Sequence, residues 1–284
     1  MKLLSFDLPD NHNLILYSDV HMGSSLSTRK GWARLIEVFK SKYKGCKNNF
    51  GVDGGDMIEA IAVDDKRFNE DMLNQPLPLE QADQAVKDRE PIKKQLLTIL
   101  LGNHEDKLWK YGNITEYVCN KLGIEYGTYT AKIAIKDKDG NLMYKLYNTH
   151  GRRGISSSAD DPIRVQSNME LSLKRHLKNQ AADCAVMVKG HSHKLLVSNP
   201  RVELYVNDNG TKLKQNYTHY EQTASYIHPD FRFYGNTGSF LRLFGDGISG
   251  YAEKAEYSPV ELGFLILVVR DKKIVSLDKY VLDV

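Results

Sequence analysis

Cysteine is scarce in this sequence: three residues, Cys46, Cys119 and Cys184, in a chain of 284. They lie far apart, their number is odd, and no CxxC pair is present. The sequence therefore predicts neither a disulfide framework nor a zinc site built from thiolates, and a reducing compartment suits it best.

Long hydrophobic runs are also missing. The longest, residues 264–269, is far shorter than the roughly 20 apolar residues that span a bilayer. Residues 1–10 contain one lysine and only short apolar stretches, which Asp7 and Asp10 interrupt, and this is not the pattern of a signal peptide. We therefore expect a cytoplasmic protein without a membrane partner.

Charge of one sign is not in excess: the formal net charge is +3 with histidine neutral, and 26% of the residues are charged. This balance does not indicate a nucleic-acid binder by bulk charge, although it leaves room for a local basic patch. The sequence shows no internal repeat, low-complexity segment or break in composition. We expect one domain over residues 1–284, with a core of normal size because 41% of the residues are hydrophobic.

Hydrophobic patterning predicts alternating strands and helices in the first half of the chain. Strands are predicted at 13–17, 49–53 and 95–101, and helices at 27–44, 79–94 and 105–122. Such alternation implies right-handed crossovers and a largely parallel central sheet. The polar segment 64–77 is predicted to lie on the surface.

After Gly123, β-structure dominates the predicted pattern. A hairpin turn is predicted at 138–141, and a helix at 161–179 is expected to begin with Asp161 as its cap and Pro162 in its first turn. The predicted strands of this half are 126–135, 142–148, 184–188, 195–197, 202–206, 212–217, 232–234, 262–269 and 274–282.

Polar motifs follow several of these strands at the point where each strand ends. After the strand 13–17 come Asp19 and His21, which project to the same side of an extended segment because they are two residues apart. Asp56 follows two glycines at the end of the next strand. These side chains suit metal ligands; the alternatives are an exposed turn for the first pair and a helix cap for Asp56.

The third strand, 95–101, runs into the sequence Gly-Asn-His-Glu, which places Asn103, His104 and Glu105 side by side. An amide, an imidazole and a carboxylate directly after a buried strand are typical of a site at the edge of an α/β sheet. The alternative is an ordinary strand-to-helix turn in which Asn103 or Glu105 caps the next helix.

Histidines end two later strands. His150 follows the strand 142–148, and Arg152 and Arg153 come soon after it. Guanidinium donors can bind phosphate, but a pair of arginines can equally be solvated. The strand 184–188 leads to His191 and His193, whose spacing and lack of an easy packing explanation make them the strongest metal-binding pattern in the chain.

Together the motifs supply two carboxylates, one amide and four imidazoles, with His104 in addition. This set is sufficient for two metal ions that share a carboxylate. Nitrogen and oxygen ligands without thiolate favour manganese, iron, cobalt or zinc over calcium or copper. Two such ions roughly 3.5–4 Å apart can hold a phosphoryl group and lower the pKa of a bound water, while His104 can protonate the leaving oxygen.

The order Asp-x-His, Gly-Asp, Gly-Asn-His-Glu, His and Gly-His-x-His over residues 19–193 resembles the calcineurin-like metallophosphoesterases. The segment 248–263 is similar to bacterial and phage-type members of that family. The resemblance implies an α/β fold, a four-layer α/β/β/α sandwich of two mixed β-sheets flanked by helices. It implies a first metal ion held by Asp19, His21, Asp56 and His193, and a second held by the bridging Asp56 with Asn103, His150 and His191.

The resemblance also implies that His104 is the general acid or positions the substrate. Some members carry an acidic partner a few residues after Gly-Asp; here the following residues are Met57, Ile58 and Glu59, to which we assign no role.

We therefore expect a phosphoesterase that hydrolyses phosphodiester bonds of a nucleic acid or nucleotide, with Arg152 and Arg153 as substrate-binding residues. The expected cofactors are two divalent ions, manganese first, with iron, zinc, cobalt or nickel as alternatives. Two other functions are compatible with the fold: a metal-dependent phosphomonoesterase, such as a protein phosphatase, and a non-catalytic binding scaffold. Substrate profiling separates the two enzymes, because they would share their metal ligands. A scaffold need not keep His104 and every ligand, whereas this chain has them all.

Overall fold

The computed structural model describes residues 1–61, 63–65, 68–248 and 251–283. Two six-stranded β-sheets pack face to face, and helices cover the outer face of each. The predicted four-layer α/β/β/α sandwich of two mixed sheets is therefore confirmed. In the described part of the chain, no helix is long and apolar enough to cross a bilayer.

The elements follow one another along the chain with short connections. The strands are β1 (Lys2–Asp7), β2 (His12–Tyr17), β3 (Asn49–Asp53), β4 (Leu96–Ile99), β5 (Glu125–Tyr126), β6 (Thr130–Lys136), β7 (Leu142–Thr149), β8 (Val186–Lys189), β9 (Leu195–Ser198), β10 (Leu204–Asp208), β11 (Leu213–Tyr217), β12 (Phe233–Thr237), β13 (Gly263–Arg270) and β14 (Lys273–Val281). The α-helices are α1 (Arg29–Lys40), α2 (Pro78–Arg89), α3 (Asn103–Asp106), α4 (Ile114–Leu122), α5 (Pro162–Leu177) and α6 (Tyr251–Lys254). Short 3₁₀ turns lie at Glu70–Met72, Glu90–Ile92, Trp109–Tyr111 and Pro229–Phe231.

One large sheet is built on four parallel strands in the order β2-β3-β4-β5. β2 and β4 are buried along their whole length, because both faces of a parallel sheet are covered. β13 lies antiparallel beside β2, and β14 completes that side. The parallel arrangement brings the carboxyl ends of β2, β3 and β4 to one edge of the sheet.

The other large sheet has the order β1-β6-β7-β8-β12-β9. β7, β8 and β12 are parallel to one another, so their carboxyl ends also share an edge. The sheet is mixed, because β6 pairs with β7 and β9 pairs with β12 in antiparallel fashion.

Apolar side chains fill three separate layers between these elements. In β13, Phe264 and Ile266 pack with residues of α1 and α2, whereas Leu265 and Leu267 face the other sheet, since neighbouring side chains on a strand point to opposite faces. α5 covers the outer face of the second sheet through residues such as Leu173. The three layers hold the two sheets in a fixed relation and thereby align their carboxyl edges.

The helix predicted over 105–122 is wrong in extent. The structure divides this segment into the end of α3, the 3₁₀ turn Trp109–Tyr111 and α4. Gly112 interrupts it with a φ of 103°, and the side chain of Asn113 accepts a hydrogen bond from the Glu116 N–H to begin α4. The interruption leaves the turn Trp109–Tyr111 directly beside the Gly-Asn-His-Glu motif.

Other boundaries differ for local reasons. The predicted strand 126–135 is divided between β5 and β6, and α1 ends at Lys40 rather than at residue 44. The sequence pattern does not predict β1, in which Leu3 is 74% exposed and the pairing partner is the distant strand β6. The cap of α5 at Asp161 and its Pro162 are confirmed. Within the predicted surface segment 64–77, residues 66 and 67 lie outside the described residues, and the side chains of 68–77 are exposed or half-buried.

Candidate metal centre

The side chains predicted as metal ligands meet where the carboxyl edges of the two sheets adjoin. They follow β2, β3 and β4 of one sheet and β7 and β8 of the other: Asp19, His21, Asp56, Asn103, His150, His191 and His193. Loops that leave parallel strands converge at such an edge, which is why α/β sheets bind ligands there. Their donor atoms form two groups.

The first group consists of Asp19, His21 and His193. His21 Nε2 and His193 Nε2 lie 3.3 Å apart, and His193 Nε2 is 3.3 Å from Asp19 Oδ1. A proton between these two nitrogens accounts for their short separation, and a bound metal ion would take its place.

The second group consists of Asp56, His150 and His191, with Asn103 alongside. His150 Nδ1 donates to the carbonyl of Gly54 at 2.9 Å, which leaves Nε2 to face the donors. His150 Nε2 lies 3.1 Å from Asp56 Oδ2 and 3.0 Å from Asn103 Oδ1.

Asp56 stands between the two groups. Its Oδ2 atom is 4.0 Å from His21 Nε2 on one side and 3.1 Å from His150 Nε2 on the other. No helix begins after it in the described residues 57–61, so the alternative role as a helix cap is not supported. Its position is that of a carboxylate shared by both groups.

The residues fit metal ions in both spacing and chemistry. Nitrogen and oxygen donors about 2.0–2.2 Å from one ion are separated from each other by distances close to those seen here. The donors are imidazole, carboxylate and amide, a set that binds first-row divalent ions. The two groups are therefore able to hold divalent metal.

Buried carboxylates favour positive charge on two of the imidazoles in this centre. Burial alone would lower the pKa of His21, but nearby carboxylates, chiefly Glu59 and Asp56, raise it to about 9. Burial likewise opposes protonation of His150, and the carboxylate of Asp56 raises the pKa of His150 to about 9. Protons on these imidazoles balance the buried carboxylates, and a bound divalent ion would displace them because metal ligands must be deprotonated.

The backbone at this centre is held in an uncommon conformation. Non-glycine residues rarely adopt positive φ, and each instance costs of order 1 kcal/mol when the surrounding structure enforces it. Such φ angles occur at Asp19 (55°), His21 (52°), Asp56 (51°), His191 (71°) and His193 (52°). Strain is thus concentrated at the predicted ligands.

His104 lies beside the donors with one nitrogen already engaged. Its Nδ1 donates to the carbonyl oxygen of Glu59, and its ring centroid is 4.6 Å from that of His21 in an edge-to-face contact. The backbone N–H of His104 donates to Asp56 Oδ1 at 2.8 Å. Because Nδ1 is engaged, Nε2 is the nitrogen available to a substrate.

Two glutamates support the metal centre, although the sequence pattern assigned them no role in it. The buried Glu105 carboxylate accepts backbone N–H bonds from Gly102 at 3.1 Å, Asp56 at 3.2 Å and Ile58 at 3.0 Å, so it ties two motifs together and also caps α3. Burial raises the pKa of Glu105 to about 7. Glu59 Oε2 lies 2.9 Å from His21 Nδ1. A carboxylate placed there fixes the ring so that Nε2 points at the other donors.

Glu59→Gln is expected to weaken metal binding by roughly 10- to 100-fold, the range for partners of ligating histidines. The amide keeps the size of the side chain, and the backbone carbonyl that binds His104 is unaltered, so kcat at saturating metal should change less. Activity as a function of free metal concentration measures this. Glu37→Gln, an exposed glutamate on α1, is the control. An unchanged metal dependence of Glu59→Gln would show that Glu59 does not orient His21.

The two predicted substrate arginines have different surroundings. The Arg152 guanidinium lies 5.7 Å from the ring centroid of Tyr129, whose ring contacts His150 at 5.9 Å. Arg153 is exposed, and its backbone carbonyl accepts a hydrogen bond from Lys189. The structure thus connects Arg152 to His150 through the ring of Tyr129, and it gives Arg153 no such connection among the described residues.

Three comparisons relate the chain to known proteins. The family model described as calcineurin-like phosphoesterase matches residues 12–235. The chain is similar to the Pseudomonas putida nuclease MPE, at 12% identity and a TM-score of 0.32, over 92% of this chain and 85% of that one. It is also similar to the Haemophilus influenzae NAD nucleotidase NadN, at 14% identity and a TM-score of 0.39, over 96% of this chain but only 50% of that one. A search of curated proteins gave no match.

Proposed function

The chain belongs to the calcineurin-like phosphoesterase family, and we propose that it is a metal-dependent hydrolase of phosphodiester bonds in a nucleic acid or nucleotide. The observation that carries this proposal is the position of Asp56 between two groups of donor atoms, with His104 beside them. Divalent ions bound there would polarise a phosphate ester and lower the pKa of a bound water.

We assign two ions to the centre, and manganese is the first choice, with iron, zinc, cobalt or nickel as alternatives. One ion would be held by Asp19, His21, Asp56 and His193, and the other by Asp56, Asn103, His150 and His191. The proximity of their donor atoms supports this assignment.

We assign His104 as the acid that protonates the leaving oxygen. Its Nδ1 proton is committed to the Glu59 carbonyl, so Nε2 carries a proton only in the imidazolium form. Burial lowers the pKa of His104, and the negative charge of a bound phosphate ester would raise it again. In this role His104 would act in its imidazolium form and donate the Nε2 proton as the ester bond breaks.

The pairing of Arg152 with Asp106 favours a diester over a monoester as substrate. Arg152 lies over the ring of Tyr129 and is already paired with Asp106. The pair therefore offers little net positive charge to a substrate. A phosphodiester carries one negative charge and a monoester up to two near neutral pH. An arginine already neutralised by a carboxylate suits the single charge of a diester better, and a phosphomonoesterase is the second candidate.

Hydrolysis of bis(p-nitrophenyl) phosphate beside p-nitrophenyl phosphate tests the proposal. The purified protein is assayed with added Mn²⁺, and a chelator is the control. We expect cleavage that the chelator abolishes and that favours the diester. A preference for the monoester would identify a phosphomonoesterase. No cleavage of either compound by protein that binds two metal ions would point to a narrow substrate range or to a binding scaffold.

We also propose a cytoplasmic location and one domain over residues 1–284. The support for this location is the sequence observation that the three cysteines are few and far apart, without the pattern of a disulfide framework.

A further inference from the structure

An exposed tryptophan stands close to the metal centre. Trp109 begins the 3₁₀ turn that follows the Gly-Asn-His-Glu motif, and 56% of its surface is exposed. Its indole Nε1 donates to Asp106 Oδ1 at 3.0 Å, which restrains the orientation of the ring. Single exposed apolar residues are common, but a large aromatic ring that is both exposed and restrained beside a reactive centre offers a ready surface for a ligand.

The same Asp106 carboxylate also holds Arg152. Asp106 Oδ2 accepts a hydrogen bond from Arg152 Nη2, and the Arg152 side chain remains 66% exposed. Arg152 in turn lies over Tyr129, and the Tyr129 ring contacts His150. A continuous series of side-chain contacts therefore joins the proposed metal ligand His150 to Trp109.

This series presents two kinds of chemistry in a fixed order. Next to the metal centre, the Arg152 guanidinium has N–H groups that can bind phosphate oxygens. On the other side of the Asp106 carboxylate, Trp109 offers a flat ring of the kind on which nucleobases stack. Both oxygens of Asp106 are engaged by these two residues, which reduces the repulsion that this carboxylate would exert on a phosphate.

We propose that Trp109 stacks on a nucleobase next to the scissile phosphate while Arg152 binds the phosphate backbone, so that the substrate is a single strand with unpaired bases. A phosphate followed by a base is the order in which a nucleotide presents these features. In a duplex each base is already covered on both faces by its neighbours, and the ring could not reach it without unstacking. This inference rests on the phosphodiesterase function proposed above.

Tryptophan fluorescence tests the stacking directly. The chain has two tryptophans, and Trp32 is buried at 6% exposure, so quenching by an added strand reports chiefly on Trp109. The protein would carry the His104→Ala substitution, which slows cleavage. It would be loaded with Zn²⁺, because a closed-shell ion does not itself quench tryptophan emission. The titrants are single-stranded oligodeoxythymidine, oligouridine, an abasic strand of equal length and a duplex.

We expect both base-containing single strands to quench the emission, because stacking does not read the 2′-hydroxyl. The abasic strand and the duplex should quench much less, and Trp109→Phe should remove the response while Trp32 still emits. Equal quenching by the abasic strand, or quenching that persists in Trp109→Phe, overturns the stacking role. Equal quenching by the duplex overturns the single-strand preference.

Kinetics separate this inference from the function on which it rests. Trp109→Ala should raise the ratio of KM for a single-stranded oligonucleotide to KM for methyl p-nitrophenyl phosphate, which has no base, by roughly 5- to 100-fold. Tyr111→Ala removes an aromatic ring of 57% exposure from the same turn and should leave that ratio unchanged. An unchanged ratio in Trp109→Ala, with wild-type cleavage of the base-free diester intact, refutes the stacking alone. If the wild type cleaves no diester, the proposed function fails, and the fluorescence result still decides the stacking.

Discussion

Asp56→Asn is expected to abolish metal-dependent phosphoester hydrolysis and to remove metal from both donor groups. One carboxylate oxygen of Asp56 faces His150 at 3.1 Å and His21 at 4.0 Å, so the change affects both groups at once. Asparagine has the same shape and tolerates the left-handed backbone at this position, so charge is the property removed. Bound metal ions stabilise the transition state by several kcal/mol, and each 1.36 kcal/mol or so changes the rate tenfold. Loss of the metal should therefore lower the rate by about 10³-fold or more.

Metal content after gel filtration, measured by atomic emission, and cleavage of an aryl phosphodiester check this expectation together. Asp183→Asn is the matched control, since Asp183 pairs with Lys132 and Lys145 at 2.7 Å and precedes β8, whereas His191 follows the other end of that strand. The control should retain metal and activity. Wild-type metal content in Asp56→Asn would show that this carboxylate does not serve both groups.

His104→Ala is expected to lower kcat on a dinucleotide by about 10²- to 10⁴-fold, the usual contribution of a positioned general acid. The available Nε2 atom is lost, while the proposed metal ligands stay in place. Metal content should therefore match that of the wild type. This combination distinguishes a proton donor from a ligand, because loss of a ligand would reduce metal content as well.

The leaving group provides the sharper comparison for His104→Ala. A nitrophenolate leaves without a proton, whereas a nucleoside alkoxide needs one, so the loss in kcat should be much smaller for the nitrophenyl ester. His219→Ala, which removes an exposed histidine after β11, is the control and should behave as the wild type does. Equal losses for both leaving groups would contradict the assignment of His104 as the acid.

The predicted ligands were readable in the sequence because each lies within a few residues of an apolar strand. His191 and His193 follow the buried strand β8, and Asp19 and His21 follow β2 in the same way. Since parallel strands share an edge, their order along the chain was sufficient to predict that these side chains meet. The second sheet was predicted only from the resemblance to a family, because the strand patterns alone do not show how the later strands pair.

Contacts between segments that are distant in the chain could not be predicted from the sequence. Glu59 lies beside His21 only because the loop after β3 packs against the loop after β2, and no local pattern encodes that distance. Arg152 and Arg153 are adjacent and chemically equal in the sequence, yet tertiary packing brings only Arg152 against Tyr129. The exposed turn at Trp109 lies inside the helix predicted over 105–122, which Gly112 interrupts in the structure.

The left-handed backbone at the proposed ligands has an evolutionary consequence. Glycine at any of these positions would relieve about 1 kcal/mol of strain, but it would also delete a donor. Folding and chemistry therefore select for different residues at the same places. A descendant released from the need to bind metal would be free to replace these residues with glycine or asparagine, which adopt this backbone without strain. The positions concerned are Asp19, His21, Asp56, His191 and His193.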